Sequence, residues 1–245
     1  DQIVKICDRN FIGCDQLIFI EPDSSADANL RFFNSDGGES GACGNGTRCV
    51  ANLISNEKNN KSIILNTLSG KLKSEILEKK IVTTEIGKAK LKWDEIPLSK
   101  EMDTKNLNIK IIDTNNNEHL GGTAINVGNP HIVFFVKKIE DFNIEKIGPE
   151  IENHEIFPEK CNVTIAQIFN KNLIKVKVWE RGAGLTKACG TAACATAYAG
   201  KLNNLTENKT DIEFATGKLS ISIDENDSIH MKGPVSNIKE INIKL

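Results

Sequence analysis

The chain has 245 residues, of which 39% are hydrophobic and 26% charged, and its formal net charge is −2. That length holds one large domain or two modest ones with ordinary globular cores. Near-neutral charge removes the electrostatic basis for nucleic-acid or anionic-membrane partners, and no apolar run approaches the ~20 residues of a membrane helix.

In chain order, short apolar runs at 17–20 and 31–34 read as strands, the second leading into the turn signal Ser35-Asp36-Gly37-Gly38. Residues 47–56 have the composition of a buried helix. Strands follow at 62–66, at 71–76 after a turn at Ser69-Gly70, and at 80–86. The polar stretch 94–117, which contains Pro97, reads as the join between two halves. Beyond it, strands are expected at 123–127, 131–136 and 173–179, with a helical pattern at 142–153. An Ala-rich helix is expected at 191–202 with Gly200 as its end, then strands at 211–214 and 218–223. Strands dominate both halves, and one central helix falls in each. The expected fold class is therefore α+β, two pseudo-symmetric domains each built as a mostly antiparallel sheet wrapped around a central helix.

One short motif occurs twice. Gly41-Ala42-Cys43-Gly44-Asn45-Gly46-Thr47-Arg48-Cys49 is echoed by Lys187-Ala188-Cys189-Gly190-Thr191-Ala192-Ala193-Cys194. Thr67-Leu68-Ser69-Gly70-Lys71-Leu72 is echoed by Thr216-Gly217-Lys218-Leu219. The spacing is matched as well: 27 residues from Cys43 to Gly70, and 28 from Cys189 to Gly217. Two homologous half-chains are expected, each presenting one thiol. Two thiols facing one carbon from opposite sides can remove a proton on one face and return one on the other, as a racemase or epimerase requires. A free cysteine is most often a small buried hydrophobe. The repeat, and a helix start beside each thiol, favour a reactive pair whose pKa the helix dipole lowers.

Other chemistries fit less well. Cys49 and Cys194 do not share a helix face with Cys43 and Cys189, and without a Cys-x-x-Cys no metal site is expected. The glycines of 41–46 lack the Gly-Lys-Ser/Thr ending of a phosphate loop, but they let backbone N–H groups approach a substrate carboxylate. Nucleotide binding is not expected. Glu180-Arg181 opens a Gly-rich loop leading to Cys189, where an arginine can grip a carboxylate bidentately. His131 follows the turn Asn129-Pro130, and its position fits a structural histidine as well as a site residue. Seven cysteines are too sparse for a disulfide framework, and their odd number leaves one unpaired, so a reducing, cytoplasmic setting is expected.

The chain resembles the diaminopimelate epimerase family. The resemblance rests on Phe33-Asn34-Ser35-Asp36-Gly37, 42–49, Gly128-Asn129-Pro130-His131, Glu180-Arg181-Gly182-Ala183-Gly184-Leu185-Thr186 and 188–193, with Asp15-Gln16-Leu17 and Met231-Lys232-Gly233-Pro234 in support. It spans nearly the whole chain in order. Proline racemases and phenazine-type isomerases look like cousins of the fold. The resemblance implies cofactor-independent interconversion of LL- and meso-diaminopimelate, in lysine and peptidoglycan-precursor synthesis, in a cleft between the two halves. It makes Cys43 and Cys189 the acid/base pair, tuned by His131 and Glu180. Gly44-Asn45 and Gly190-Thr191 are the helix starts that bind the reacting carboxylate, and Gln16, Asn34, Asn129, Asn162, Glu180 and Arg181 are substrate contacts. The expected division is 1–92, a connecting region 93–118 and 119–233, with the tail 234–245 rejoining the first half. The partner is a small amino acid, with no nucleic acid or membrane, and a homodimer is one open assembly. The family opens with a strand and an Asn-bearing loop that precede the equivalent of Asp1, so an upstream segment is expected. Two rival readings are a proline-type racemase of the same fold and a redox protein cycling a Cys43–Cys189 disulfide.

Overall fold

The computed structural model describes residues 2–41, 43–78 and 80–243. Asp1, Ala42 of the first motif, Lys79, and Lys244 and Leu245 of the expected tail lie outside these. The chain divides into two compact units, Asp1–Glu85 with Gly233–Leu245, and Ile86–Lys232.

The first unit begins with a short helix α1 (Gln2–Cys7). Strands β1 (Gln16–Glu21), β2 (Ala28–Asn34) and β3 (Glu39–Ser40) precede helix α2 (Gly44–Lys58). Strands β4 (Ser62–Thr67), β5 (Gly70–Glu78) and β6 (Ile81–Lys88) follow it. The strand order is β1-β2-β4-β5-β6, with β3 on β2. Every pairing is antiparallel except β2 with β4, which the α2 crossover makes parallel. Alternation along β4 buries Ile63 and Leu65 and leaves Ser62 and Ile64 outside. These residues join Leu30, Phe32 and Val82 against Val50, Ala51 and Ile54 of α2. Each Leu, Ile, Val or Phe among them contributes ~1.5–3 kcal/mol on full burial. Val235 of the tail packs in the same cluster, and its N–H donates to Lys80 O at 2.8 Å.

The second unit carries a hairpin of β7 (Ile109–Ile112) and β8 (Glu118–Gly121), then β9 (Thr123–Asn126) and β10 (Pro130–Val136). A 3-10 turn (Ile139–Asp141) and helix α3 (Ile144–Glu152) lead to β11 (Asn162–Asn170), β12 (Leu173–Glu180) and β13 (Gly184–Thr186). Helix α4 (Gly190–Leu202) and strands β14 (Lys209–Phe214), β15 (Gly217–Ile223) and β16 (Ser228–Pro234) complete it. The order is β16-β15-β14-β12-β11-β10-β9, with β13 on β12. Strands β11 to β16 with α4 repeat β1 to β6 with α2. An antiparallel pair carries a short third strand, a helix crosses over to a strand parallel to the second, and two antiparallel strands follow. The architecture is α+β, and the motif repeat in the sequence is a repeat of topology.

Here the sheet is covered on both faces. Ile125, Val133 and Ala166 pack toward the alanines of α4. Ala124, Ile132, Phe134, Val163 and Ile165 pack on the other side with α3 and with Ile96, Leu98, Leu107, Ile109 and Ile111. Residues 93–118, read from sequence as a connector, therefore lie within this second cluster. Their polar composition hides five buried apolar anchors. Gly148 of α3 is there for close approach, because a Cβ would fall 2.3 Å from Trp179 Cγ. Gly200 does not end α4, which runs on to Leu202 with Asn203 as its cap. A Cβ at Gly200 would meet Thr206 Oγ1 at 2.6 Å, so this glycine serves packing rather than termination.

Candidate active site

Cys43 is the N-cap of α2 and Cys189 the N-cap of α4, both in extended conformation (φ −143°, ψ 103° and φ −136°, ψ 119°). The two sulfurs thus sit where the first N–H groups of a helix have no intrahelical partner and the dipole is positive. In the first unit, the Gly46 N–H donates to Cys43 Sγ at 3.2 Å. A Cβ at Gly46 would lie 2.5 Å from Ile18 Cδ1 and 3.2 Å from that sulfur, so glycine leaves room for the thiol. Thr47 Oγ1 donates to Cys43 O at 2.8 Å, and Asn45 Oδ1 accepts from Arg48 Nη2 at 3.0 Å. Gln16, at the start of β1, is the register partner of Asn34, at the end of β2, and its amide donates to Asn34 Oδ1 at 2.9 Å.

In the second unit, the corresponding strand start is Asn162 and the corresponding strand end is Glu180. Asn162 is buried and used at both ends. Its amide donates to Pro130 O at 2.9 Å, and its oxygen accepts from the Arg181 N–H at 3.1 Å. It therefore ties the Asn129-Pro130-His131 turn to the loop after β12. His131 is fully buried and is the register partner of Asn162. Its Nε2 lies 2.8 Å from Asn129 Oδ1, and its Nδ1 has no hydrogen-bond partner among the described residues. Burial, with a smaller push from the Arg181 charge, takes this imidazole down to about 3, so it is neutral near physiological pH. The Arg181 guanidinium is held at one corner by Glu159 O, 2.8 Å from Nη1. The turn that carries it back into β13 needs Gly182 and Gly184, at φ +75° and +80°.

Cys189 departs from the sequence reading in one respect. Its sulfur lies 3.4 Å from Thr191 Oγ1, yet the thiol is pushed well above its ordinary range. Burial is the main cause and the Glu180 carboxylate adds to it, while Thr191 and the Ala192 amide oppose with less effect. The helix start was expected to lower this pKa. It does pull in that direction, but removing the sulfur from water outweighs it.

Glu152 was not singled out in the sequence. It is a buried carboxylate on α3, one turn beyond Gly148. Oε2 accepts from Trp179 Nε1 at 2.7 Å, and Oε1 accepts from the Gly182 N–H at 3.0 Å. Those two donors flank Glu180-Arg181, so Glu152 clamps the loop that presents them. In the sequence it is one of several acidic residues on a short helix, and its burial depends on an indole far along the chain.

The residues expected at the site fall into two groups. Gln16, Asn34, Cys43, Gly44 and Asn45 belong to the first unit, and Asn129, His131, Asn162, Glu180, Arg181, Cys189, Gly190 and Thr191 to the second. Each group pairs an N-cap thiol with polar side chains at the ends of a strand pair, two amides in the first unit and an amide with a carboxylate in the second.

Solved structures share this architecture. The Bacillus anthracis phenazine biosynthesis protein of the PhzF family aligns with a TM-score of 0.66 at 14% identity, covering 100% of this chain and 89% of that one. A hydroxyproline epimerase from Agrobacterium vitis aligns with a TM-score of 0.64 at 13% identity, over 89% and 71% of the two chains. These likenesses define a fold class. Sequence goes further. The diaminopimelate epimerase family model matches residues 1–92 and 123–238. The chain is 69% identical over 245 residues to the diaminopimelate epimerase of Pelagibacter ubique, covering 100% of this chain and 89% of that one. It is 42% identical over 230 residues to that of Sphingopyxis alaskensis, covering 94% and 82%. The chain belongs to the diaminopimelate epimerase family and is an isomerase.

Proposed function

We propose that the protein interconverts LL- and meso-2,6-diaminopimelate by a two-thiol proton transfer at one α-carbon. The observation that carries this reading is the equivalent placement of Cys43 and Cys189, each N-capping the crossover helix of one copy of a repeated topology. One sulfur, as thiolate, takes the α-proton, and the other, as thiol, gives its proton to the opposite face. The C–H electron pair stays on the carbon and is shared with the adjacent carboxylate. N–H groups of Gly44-Asn45 and Gly190-Thr191 meet the charge that develops there. Burial favours the protonated form of Cys189 at rest, and which thiol abstracts from a given epimer follows from the face of the carbon it meets. After turnover the proton positions are exchanged, and the reverse direction runs from that state.

Gln16, Asn34, Asn129, Asn162 and Arg181 read the distal amino-acid head, which does not react. His131 is neutral and tunes the site by shape and hydrogen bonding, not by charge. In this reading the protein works on a free amino acid without cofactor or metal, in the cytoplasm, supplying lysine and peptidoglycan-precursor synthesis. No nucleic-acid or membrane partner is expected, and a homodimer is one open assembly.

The alternative is a racemase of the same fold acting on a cyclic imino acid such as proline. Arg181 argues against it, since proline has no distal carboxylate for a guanidinium to hold. Incubation with LL-diaminopimelate, L-proline and trans-4-hydroxy-L-proline, each with a chelator, followed by chiral chromatography, separates the two. Conversion of diaminopimelate alone is expected. Conversion of either imino acid without diaminopimelate would replace this reading with the alternative.

A further inference from the structure

The second half of the sequence repeat, 67–72 against 216–219, is not used by the proton transfer itself. Both copies form the turn of the hairpin after the thiol-bearing helix, β4–β5 in one unit and β14–β15 in the other. In each turn a hydroxyl precedes a glycine of positive φ, Ser69 before Gly70 (+113°) and Thr216 before Gly217 (+151°).

Each hydroxyl reaches back along the chain to the same place. Ser69 Oγ donates to Gly41 O at 3.0 Å, and Thr216 Oγ1 donates to Lys187 O at 3.1 Å. Gly41 and Lys187 each stand two residues before the cysteine. Both are also the first residue beyond a strand ladder, since β3 ends at Ser40 and β13 at Thr186. Only three residues therefore lead from strand end to N-cap, with the thiol on the last of them. The hydroxyl bond holds the first carbonyl. Gly41 fits this closely, because a Cβ there would lie 2.8 Å from Ser69 Oγ. Serine and threonine share the hydroxyl and little else, so the hydroxyl is what the two copies have in common. A single exposed hydrogen bond of this kind does little for global stability. Its acceptor stands two residues before the sulfur, and a ~1 Å error at a reacting atom costs ~100-fold in rate.

We propose that Ser69 and Thr216 are equivalent positioning residues for Cys43 and Cys189, each fixing the short segment that carries one thiol. The inference rests on the two-thiol reading above. Its test uses the full-length chain and the variants Ser69→Ala and Thr216→Val, with Ser69→Thr and Thr216→Ser as hydroxyl-retaining partners. Ser69→Gly and Thr216→Ala serve the same comparison should either first variant fail to fold. Two quantities are measured: the iodoacetamide alkylation rate at each cysteine, by peptide mapping, and kcat and KM for epimerisation.

Loss of the Ser69 hydroxyl should change alkylation at Cys43 severalfold and leave Cys189 as in the wild type, and loss of the Thr216 hydroxyl should do the converse. In both, kcat should fall about tenfold or more with KM little changed, and the hydroxyl-retaining variants should recover both readouts. Unchanged alkylation at the adjacent cysteine, or equal change at both cysteines, would overturn the proposal. Because alkylation needs no substrate, this outcome is separable from failure of the two-thiol reading, which would appear as activity surviving in Cys43→Ala or Cys189→Ala.

Discussion

The two thiols occupy the same local geometry in different surroundings. Cys43 is half-buried, takes a hydrogen bond from Gly46 N–H, and begins a helix with polar positions at Asn45, Arg48 and Asn52. Cys189 is 5% exposed, begins an Ala-rich helix buried along almost its whole length, and has Glu180 beside it. A helix N-terminus presents roughly half a positive charge to either sulfur. Full burial moves a pKa by up to ~3–5 units in the other direction for a thiol. The comparison teaches that N-cap placement sets where a thiol points, while its depth sets the proton it holds at rest.

The largest expected effect tests whether the two positions are equal in need, if not in environment. Cys43→Ala and Cys189→Ala should each lower turnover by at least ~100-fold, since acid–base groups contribute ~10²–10⁴. Both variants should keep their far-ultraviolet circular dichroism. Residual turnover above one hundredth in only one of them would make the repeat catalytically one-sided.

Next in size is the Glu152 clamp of the second unit. Glu152→Ala leaves the Trp179 Nε1–H and the Gly182 N–H without their acceptor. Trp179 is half-buried and Gly182 exposed, so at ~0.5–1.5 kcal/mol net for each lost hydrogen bond denaturant unfolding should show a loss of ~1–3 kcal/mol, with Glu152→Gln intermediate. No loss in the alanine variant would mean that the loop carrying Glu180-Arg181 is held by other contacts.

Arg181→Lys should raise KM by about tenfold with a smaller change in kcat, because an ammonium cannot reproduce the guanidinium fork. Steady-state kinetics decide it, and an unchanged KM would place the distal carboxylate elsewhere.

The smallest effect is one of pH, again confined to the second unit. His131 is pushed down from 6.5 to about 3 in the folded protein. Below 6.5 the unfolded chain binds a proton that the native state refuses. Stability is therefore fully present above that value and declines as pH falls toward about 3, by at most ~1.4 kcal/mol per pH unit from this group. His131→Gln should flatten that decline, read as the difference in unfolding free energy between about pH 7 and about pH 5. An unchanged slope would show that another group carries the pH dependence.

Much of the candidate site is legible in the sequence because its signals are local. Ala-Cys-Gly before a helical stretch marks an N-cap thiol, and two copies with matched spacing imply a repeated topology. What is not legible depends on contacts distant in sequence. Strand β11 mixes Asn162, Thr164 and Gln167 with apolar residues, so it lacks the rhythm of a half-exposed strand. It is nonetheless covered on both faces, by α4 on one side and α3 on the other. The raised pKa of Cys189 follows from depth, which no motif encodes. The hydroxyls of Ser69 and Thr216 were visible as part of the repeat, but their acceptors, 28 and 29 residues away, were not.

The central claim is that the two sulfurs serve opposite faces of one carbon. The direct test is epimerisation of LL-diaminopimelate in deuterium oxide, sampled at low conversion by mass spectrometry of the separated epimers. A thiol that donates to the second face carries solvent deuterium, so the meso product should hold one deuterium at the inverted α-carbon while recovered LL substrate holds almost none. Recovered substrate labelled as fast as product forms, or product that retains the substrate's own proton, would mean that a single base serves both faces and would contradict the account.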